Sequence, residues 1–265
     1  MNSITSGRSE AKIQAQLRKK LFRNHLKCPR CHRRYSSMVG DRYFCGKCRL
    51  KFSLKSTLVF KGSKLSFSQL WQLLECFLAP LSISQAAFVC SLSQPTVRRW
   101  YRKFSSLIPE EQAMLSGIVE VDEAFIGKKK HGNQQIVIGA LERSTGRIAL
   151  KPISDRETGT TDQFLLQAVE RYSMVCTDAW SSYQNITEFF GYGHTVCNHS
   201  MGYFGPTNRV ENVWMRLRRF IRKTVARAWK QHLPRLLKEF QARVNHPAAF
   251  QTPISFLSFV PSQLG

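Results

Sequence analysis

The sequence predicts a multidomain protein of mixed α+β and α/β character, with a small four-cysteine ribbon and a helix-turn-helix bundle ahead of a mixed β-sheet domain flanked by helices. Three observations predict it. Two Cys-x-x-Cys pairs fall within residues 28–48, and an apolar period near that of a helix recurs three times between Ser66 and Phe104. From Gly117 the pattern then changes to short β-branched runs separated by Gly-containing turns. At 265 residues the chain has room for two or three compact units.

Residues 10–24, EAKIQAQLRKKLFRN, carry Ile13, Leu17 and Leu21 at i, i+4, i+8, so a basic amphipathic helix is expected within residues 1–24. It would lie on nucleic acid or cover the next module. Within 25–60, Cys28 and Cys31 are separated from Cys45 and Cys48 by 13 residues, a spacing at which two knuckles bring four thiolates tetrahedrally around one structural Zn2+. A redox dithiol and disulfides are the alternatives; a thioredoxin-like βαβ context is absent. Four thiolates fill the shell, so His32 is read as exposed. Cys76, Cys90, Cys176 and Cys197 sit singly among apolar neighbours and read as buried small hydrophobes.

Residues 61–108 read as three helices. FSQLWQLLECFLA stops at Pro80, SISQAAFV follows, and the third begins at SQPTV with Ser93 as N-cap and Pro95 in the first turn. Small Ala86 and Ala87 allow close approach, and the third helix places Val97, Trp100, Tyr101 and Phe104 on an apolar stripe. Its other face offers Gln94, Thr96, Arg98, Arg99, Arg102 and Lys103 to DNA, as a recognition helix does. A plain packing bundle is the alternative, since Ser91 stands where such turns usually have Gly.

The runs GIVEVDEAFIG, QQIVIGALERS and GRIALKPIS predict an antiparallel meander. A helix over TTDQFLLQAVERY, a fourth strand MVCTDAW, a looping stretch rich in Tyr, Gly and His, and a long helix from Asn208 to Trp229 follow. The helix LPRLLKEFQARVN completes a domain over 117–248, leaving a Pro-containing tail at 249–265.

Three acids stand out in this frame. Period-two alternation sets Glu120 and Asp122 on one face of their strand and Val119 and Val121 on the other. A carboxylate inside an apolar strand is costly unless it is paired or binds metal. Asp178 ends an equally apolar strand, and Glu211 borders the apolar face Val210, Val213, Trp214, Leu217. Singly, Asp122 is open to pairing with a core Arg, Asp178 to capping, and Glu211 to the helix dipole. Together they supply the hard oxygen ligands that two-metal phosphodiester cleavage requires.

Lys and Arg number 40 against 17 acids, a net charge of +23, which points to a polyanionic partner: double-stranded DNA first, an anionic membrane surface second. No stretch approaches the ~20 apolar residues of a membrane span, so a cytoplasmic, nucleoid-associated protein is expected.

In order, CPRCH…FCGKC, the helix-turn-helix, VEVDEAFIG, TDAWSSY, HTVCNHSMGYF, TNRVENVW and LPRLLKEFQARVN resemble the bacterial insertion-sequence transposases related to the eukaryotic Merlin elements. That resemblance implies an RNase H-like catalytic domain whose triad falls on Asp122, Asp178 and Glu211 with two Mg2+ or Mn2+, and a zinc ribbon at Cys28, Cys31, Cys45 and Cys48. It gives His199 a place near the scissile phosphate, Asn208 a helix cap, and Trp214 a packing role beneath the helix. The implied chemistry is hydrolysis at the element's terminal inverted repeats, then attack of the freed 3′-hydroxyl on target DNA by a homodimer or larger synaptic oligomer. The rival readings are a DNA-binding regulator without catalysis and a nuclease that does not join strands.

Overall fold

The computed structural model describes residues 9–23, 25–34, 37–39, 42–127, 134–178, 191–197, 208–224 and 230–261. The chain forms two compact units, one of residues 1–109 with 248–265 and one of residues 110–247.

In the first unit, α1 (Glu10–Phe22) is capped by the Ser9 hydroxyl and buries Ile13 and Leu17. Its apolar face packs against α2 (Phe67–Leu78) and the last helix, in the helical bundle further along the chain and not in the module that immediately follows it. The ribbon is a three-stranded antiparallel sheet of β1 (Ser37–Val39), β2 (Arg42–Phe44) and β3 (Lys51–Phe52). Helices α2, α3 (Ile83–Cys90) and α4 (Gln94–Leu107) follow where the periodicity predicts them. Ser66 and Ser82 cap α2 and α3 through reciprocal bonds with Gln69 and Gln85. Ser91 takes the left-handed conformation, φ 51°, that ends α3, doing what Gly usually does in such a turn. Val97, Trp100, Tyr101 and Phe104 are all buried. Phe77 gathers Tyr101, Phe104 and Phe256 around it at centroid distances of 5.4, 5.4 and 5.7 Å. Phe256 belongs to α8 (Pro253–Phe259), capped by Thr252, so the segment expected as a tail contains a helix packed in this core.

The second unit is built on a five-stranded sheet in the order β6-β5-β4-β7-β8. β4 (Ile118–Ile126), β5 (Gln135–Glu142) and β6 (Ile148–Ile153) form the expected antiparallel meander. β7 (Met174–Asp178) and β8 (Gly193–Cys197) add parallel to β4. A meander whose first strand pairs with a parallel fourth and then a fifth is the RNase H-like order. β8 corrects the sequence reading, which had that stretch as a loop. α5 (Thr158–Ala168) also ends sooner than expected, because Val169 turns to extended backbone and bridges Leu115.

Alternation divides the sheet between two cores. Val119, Val121, Ile138 and Ala140 pack with Phe164 and Leu165 of α5. Ala124, Ile126, Val137 and Leu141 pack on the other face with α6 (Asn208–Thr224) and α7 (Leu233–Asn245). Val210, Val213, Trp214 and Leu217 form the buried stripe of α6, as the sequence predicts; residues 225–229, expected to prolong that helix, lie outside the described residues.

Candidate active site

Glu120 and Asp122 are successive in-phase residues of β4, on the face that receives α6. The parallel ladder pairs Ile118 with Met174 and Glu120 with Cys176, so the next in-phase positions along the two strands are Asp122 and Asp178. This adjacency comes from backbone register; the side chain of Asp178 lies outside the described residues, as do all of His199 and the side chain of Asn208.

Helix α6 reaches this edge at two points. Glu120, 1% exposed, accepts bonds on one oxygen from the backbone amides of Arg209 and Val210, both at 3.0 Å. Its other oxygen accepts from Arg143 Nε at 2.7 Å. One turn along, Trp214 Nε1 donates to Asp122 Oδ2 at 2.8 Å. The indole has space because Gly139 is the partner of Asp122 on β5: an added Cβ there would overlap the Trp214 ring. Glu211 is three residues before Trp214 on the same helix, exposed, with no ion-pair partner among the described residues. Two acids on neighbouring strands and one in the first turn of a helix docked on the first strand are an arrangement suited to hard divalent cations.

Sequence reasoning placed Glu120 on the face of Asp122 without giving it a role, and it missed Gly139 and Arg143. An isolated Gly inside the β-branched run QIVIGALE was the available sign of a close approach. Arg143 carried no such sign.

Residues 114–245 match the family model of the ISXO2-like transposase domain. They are an ISXO2-like transposase domain. Over 141 residues the chain is 27% identical to an uncharacterised protein in transposable element ISH50 of Halobacterium salinarum, which accounts for 51% of this chain. The chain spans about half, 47%, of that relative's length. The catalytic core domain of BIV integrase is 16% identical, with 49% of this chain and 84% of that one covered at a TM-score of 0.39. The catalytic core domain of HTLV-2 integrase in complex with magnesium is 11% identical, with coverages of 51% and 90% at 0.38. Strand order and direction, and not these overlaps, define the fold of the transposase domain.

Ahead of the transposase domain, the two knuckles are built alike. The amide of Cys28 donates to Arg33 O at 2.8 Å and that of Cys45 to Leu50 O at 3.0 Å. His32 and Arg49, each just after a knuckle, share the left-handed conformation with φ 55° and 57°. The four sulphurs lie within 4.8 Å of one another, with Cys28 to Cys48 and Cys31 to Cys45 both at 3.5 Å. Ligands 2.3 Å from a tetrahedral zinc would be about 3.8 Å apart, so the cluster has the dimensions of a metal site. The Cys48 backbone amide holds the Cys45 thiol down to about 6. At Cys48 the Leu50 amide acts in the same sense, but burial and the neighbouring sulphurs outweigh it and push the thiol up to about 11. Cys76, Cys90 and Cys176 are buried, as expected; the side chain of Cys197 lies outside the described residues.

Also ahead of the transposase domain, Gln94, Arg98, Arg99 and Arg102 of α4 are exposed. Thr96 is half-buried, its hydroxyl 2.9 Å from that of Ser93. Lys103 stacks over the Trp100 ring at 4.9 Å, and burial, followed by the nearby Arg99, lowers its pKa. No helix among the described residues is long and apolar enough to cross a membrane.

Proposed function

We propose that this chain is a DNA transposase whose Asp122, Asp178 and Glu211 hold two divalent cations, Mg2+ or Mn2+, and cut and rejoin DNA strands. The observation that carries the reading is the in-phase position of Asp122 and Asp178 on adjacent parallel strands, beside a helix docked on β4 whose first turn carries Glu211, within a transposase domain. When bound, the cations activate the attacking water or 3′-hydroxyl and stabilise the leaving oxygen. The chain's own residues orient that site. Glu120 and Trp214 fix α6 against β4, and Gly139 leaves room for the indole.

Cys28, Cys31, Cys45 and Cys48 hold one zinc that staples a ribbon too small to bury a core of its own. Gln94, Thr96, Arg98, Arg99, Arg102 and Lys103 contact the terminal inverted repeats, and the +23 charge draws in both repeat and target DNA. Two element ends must be processed together, so the working form is a homodimer or larger synaptic assembly in the cytoplasm.

The test is strand cleavage and joining on a labelled terminal-repeat duplex with Mg2+ or Mn2+. Asp122→Asn, Asp178→Asn and Glu211→Gln each keep shape and remove a charge, so each is expected to abolish both steps while DNA affinity holds or rises. A variant with wild-type turnover removes its residue from the site. Cleavage without joining would reduce the reading to a nuclease.

A further inference from the structure

We infer that Glu120 and Arg143 are positioning residues for Glu211, and that through it they set how tightly the site takes its divalent cations. The inference rests on the proposed role of Glu211. Four helices are capped locally, by the hydroxyls of Ser9, Ser66, Ser82 and Thr252 three residues from the amides they accept, and α2 adds a distant carboxylate, Glu10, which accepts from the Phe67 amide at 3.1 Å. At α6 the acceptor for Arg209 is a carboxylate 89 residues earlier in the chain, on the strand that carries Asp122. A local hydroxyl would satisfy the helix end; a side chain from β4 also fixes where that end sits relative to Asp122.

The geometry supports a placement role. Both oxygens of Glu120 are engaged: one by Arg143 Nε, the other by two consecutive first-turn amides, the second belonging to Val210, immediately before Glu211. The circuit closes on itself, because Arg209 Nη1 donates to the backbone carbonyl of Arg143 at 2.8 Å. Charge supports the same role. A buried carboxylate needs full hydrogen bonding, and the positive end of the helix dipole together with a guanidinium supplies it. Glu120 itself is 1% exposed and cannot meet DNA. A ligand on the first turn must be held to about 0.5 Å for a metal site to work, and groups that orient ligands typically change metal affinity or activity by about 10–100-fold.

The experiment uses the full chain with Glu120→Asp, which shortens the arm by one methylene, and Arg143→Lys, which leaves the carboxylate but loses the planar donor. Mn2+ binding without DNA is measured calorimetrically, backbone amide exchange is followed at Arg209 and Val210, and cleavage is titrated against Mn2+ at saturating DNA. For Glu120→Asp we expect faster exchange at both amides and Mn2+ affinity lower by about 10–100-fold. The loss of cleavage should be relieved in part by raising Mn2+, with DNA affinity unchanged. Arg143→Lys should move the same quantities in the same direction by a smaller factor, and it carries the test if Glu120→Asp does not fold. Folded variants that bind Mn2+ as the wild type does would overturn the inference, as would a cleavage loss that tracks a falling Tm and that added Mn2+ does not relieve. Glu211→Gln is run alongside. If it keeps Mn2+ affinity and cleavage, the reading of the site itself fails; if it is defective while the other two bind Mn2+ normally, only the positioning role fails.

Discussion

The indole of Trp214 donates to Asp122 across the interface between α6 and β4, at 2.8 Å, with the ring only 3% exposed. Glu211 and Trp214 are i and i+3 on that helix, so one element carries one proposed metal ligand and orients another. A hydrogen bond to a ligating carboxylate fixes its rotamer, and losing such a bond typically costs about 10–100-fold in activity. Trp214→Phe keeps an aromatic ring and removes the donor. The expected outcome is a fall in cleavage rate of that order with DNA affinity unchanged, measured in single-turnover cleavage beside a binding titration. An unchanged rate would show that the bond does not act on catalysis.

Gly139 makes this contact possible, so Gly139→Ala should break it from the opposite side. The added methyl would overlap the indole and stand 2.8 Å from Leu150 Cδ2. Overpacking of this kind costs roughly 1–3 kcal/mol. The expected result is a lowered Tm together with lost cleavage. Combining it with Trp214→Leu should restore Tm by vacating the space, but not cleavage, because the donor to Asp122 is then absent. Failure of the double variant to regain stability would place the strain on Leu150.

What the sequence made legible here was local. Asp122 and Asp178 stood out because an acid within an apolar strand needs a reason, and the α6 stripe was readable from its period. β8 was not: Gly193–Cys197 is five residues long with His194 and Thr195 among them, and only its parallel pairing with β7 makes it a strand. The end of α5 depended likewise on a bridge from Val169 to Leu115, and α8 on packing against Phe77 and Phe104. Glu120 was seen, but its partners are 23 and 89 residues away, beyond any local pattern.

The four-cysteine cluster predicts one zinc per chain. Freshly reduced protein should contain it, and Cys28→Ser or Cys45→Ser should lose it and expose residues 25–60 to limited proteolysis, since folding of so small a module depends on its metal. Cys76→Ser serves as the control. Its sulphur lies 3.7 Å from that of Cys90, buried in the helical bundle, and metal content should stay the same. Zinc that survives Cys28→Ser in full would be bound elsewhere.

Helix α4, proposed to contact the terminal repeats, is tested through its arginines. Arg98 and Arg99 are exposed within the first two turns of α4, while Val97 and Trp100 on either side of them are buried, so truncating either Arg should leave the bundle folded. Residues near the start of such a helix reach base edges as well as phosphates. A base contact is lost only on the cognate sequence, whereas a phosphate contact is lost on all sequences and takes roughly one unit off the salt slope. Arg98→Ala and Arg99→Ala are therefore expected to weaken binding to the terminal repeats by about 1–3 kcal/mol more than binding to random duplex. Lys103→Ala is the contrast. Its ammonium lies over Trp100 and is half-buried, so its loss should act on bundle stability more than on sequence preference. Fluorescence anisotropy on both duplexes across a salt series separates these outcomes. An equal loss on both sequences with a shallower slope would make Arg98 and Arg99 phosphate contacts and move base recognition to another part of the chain.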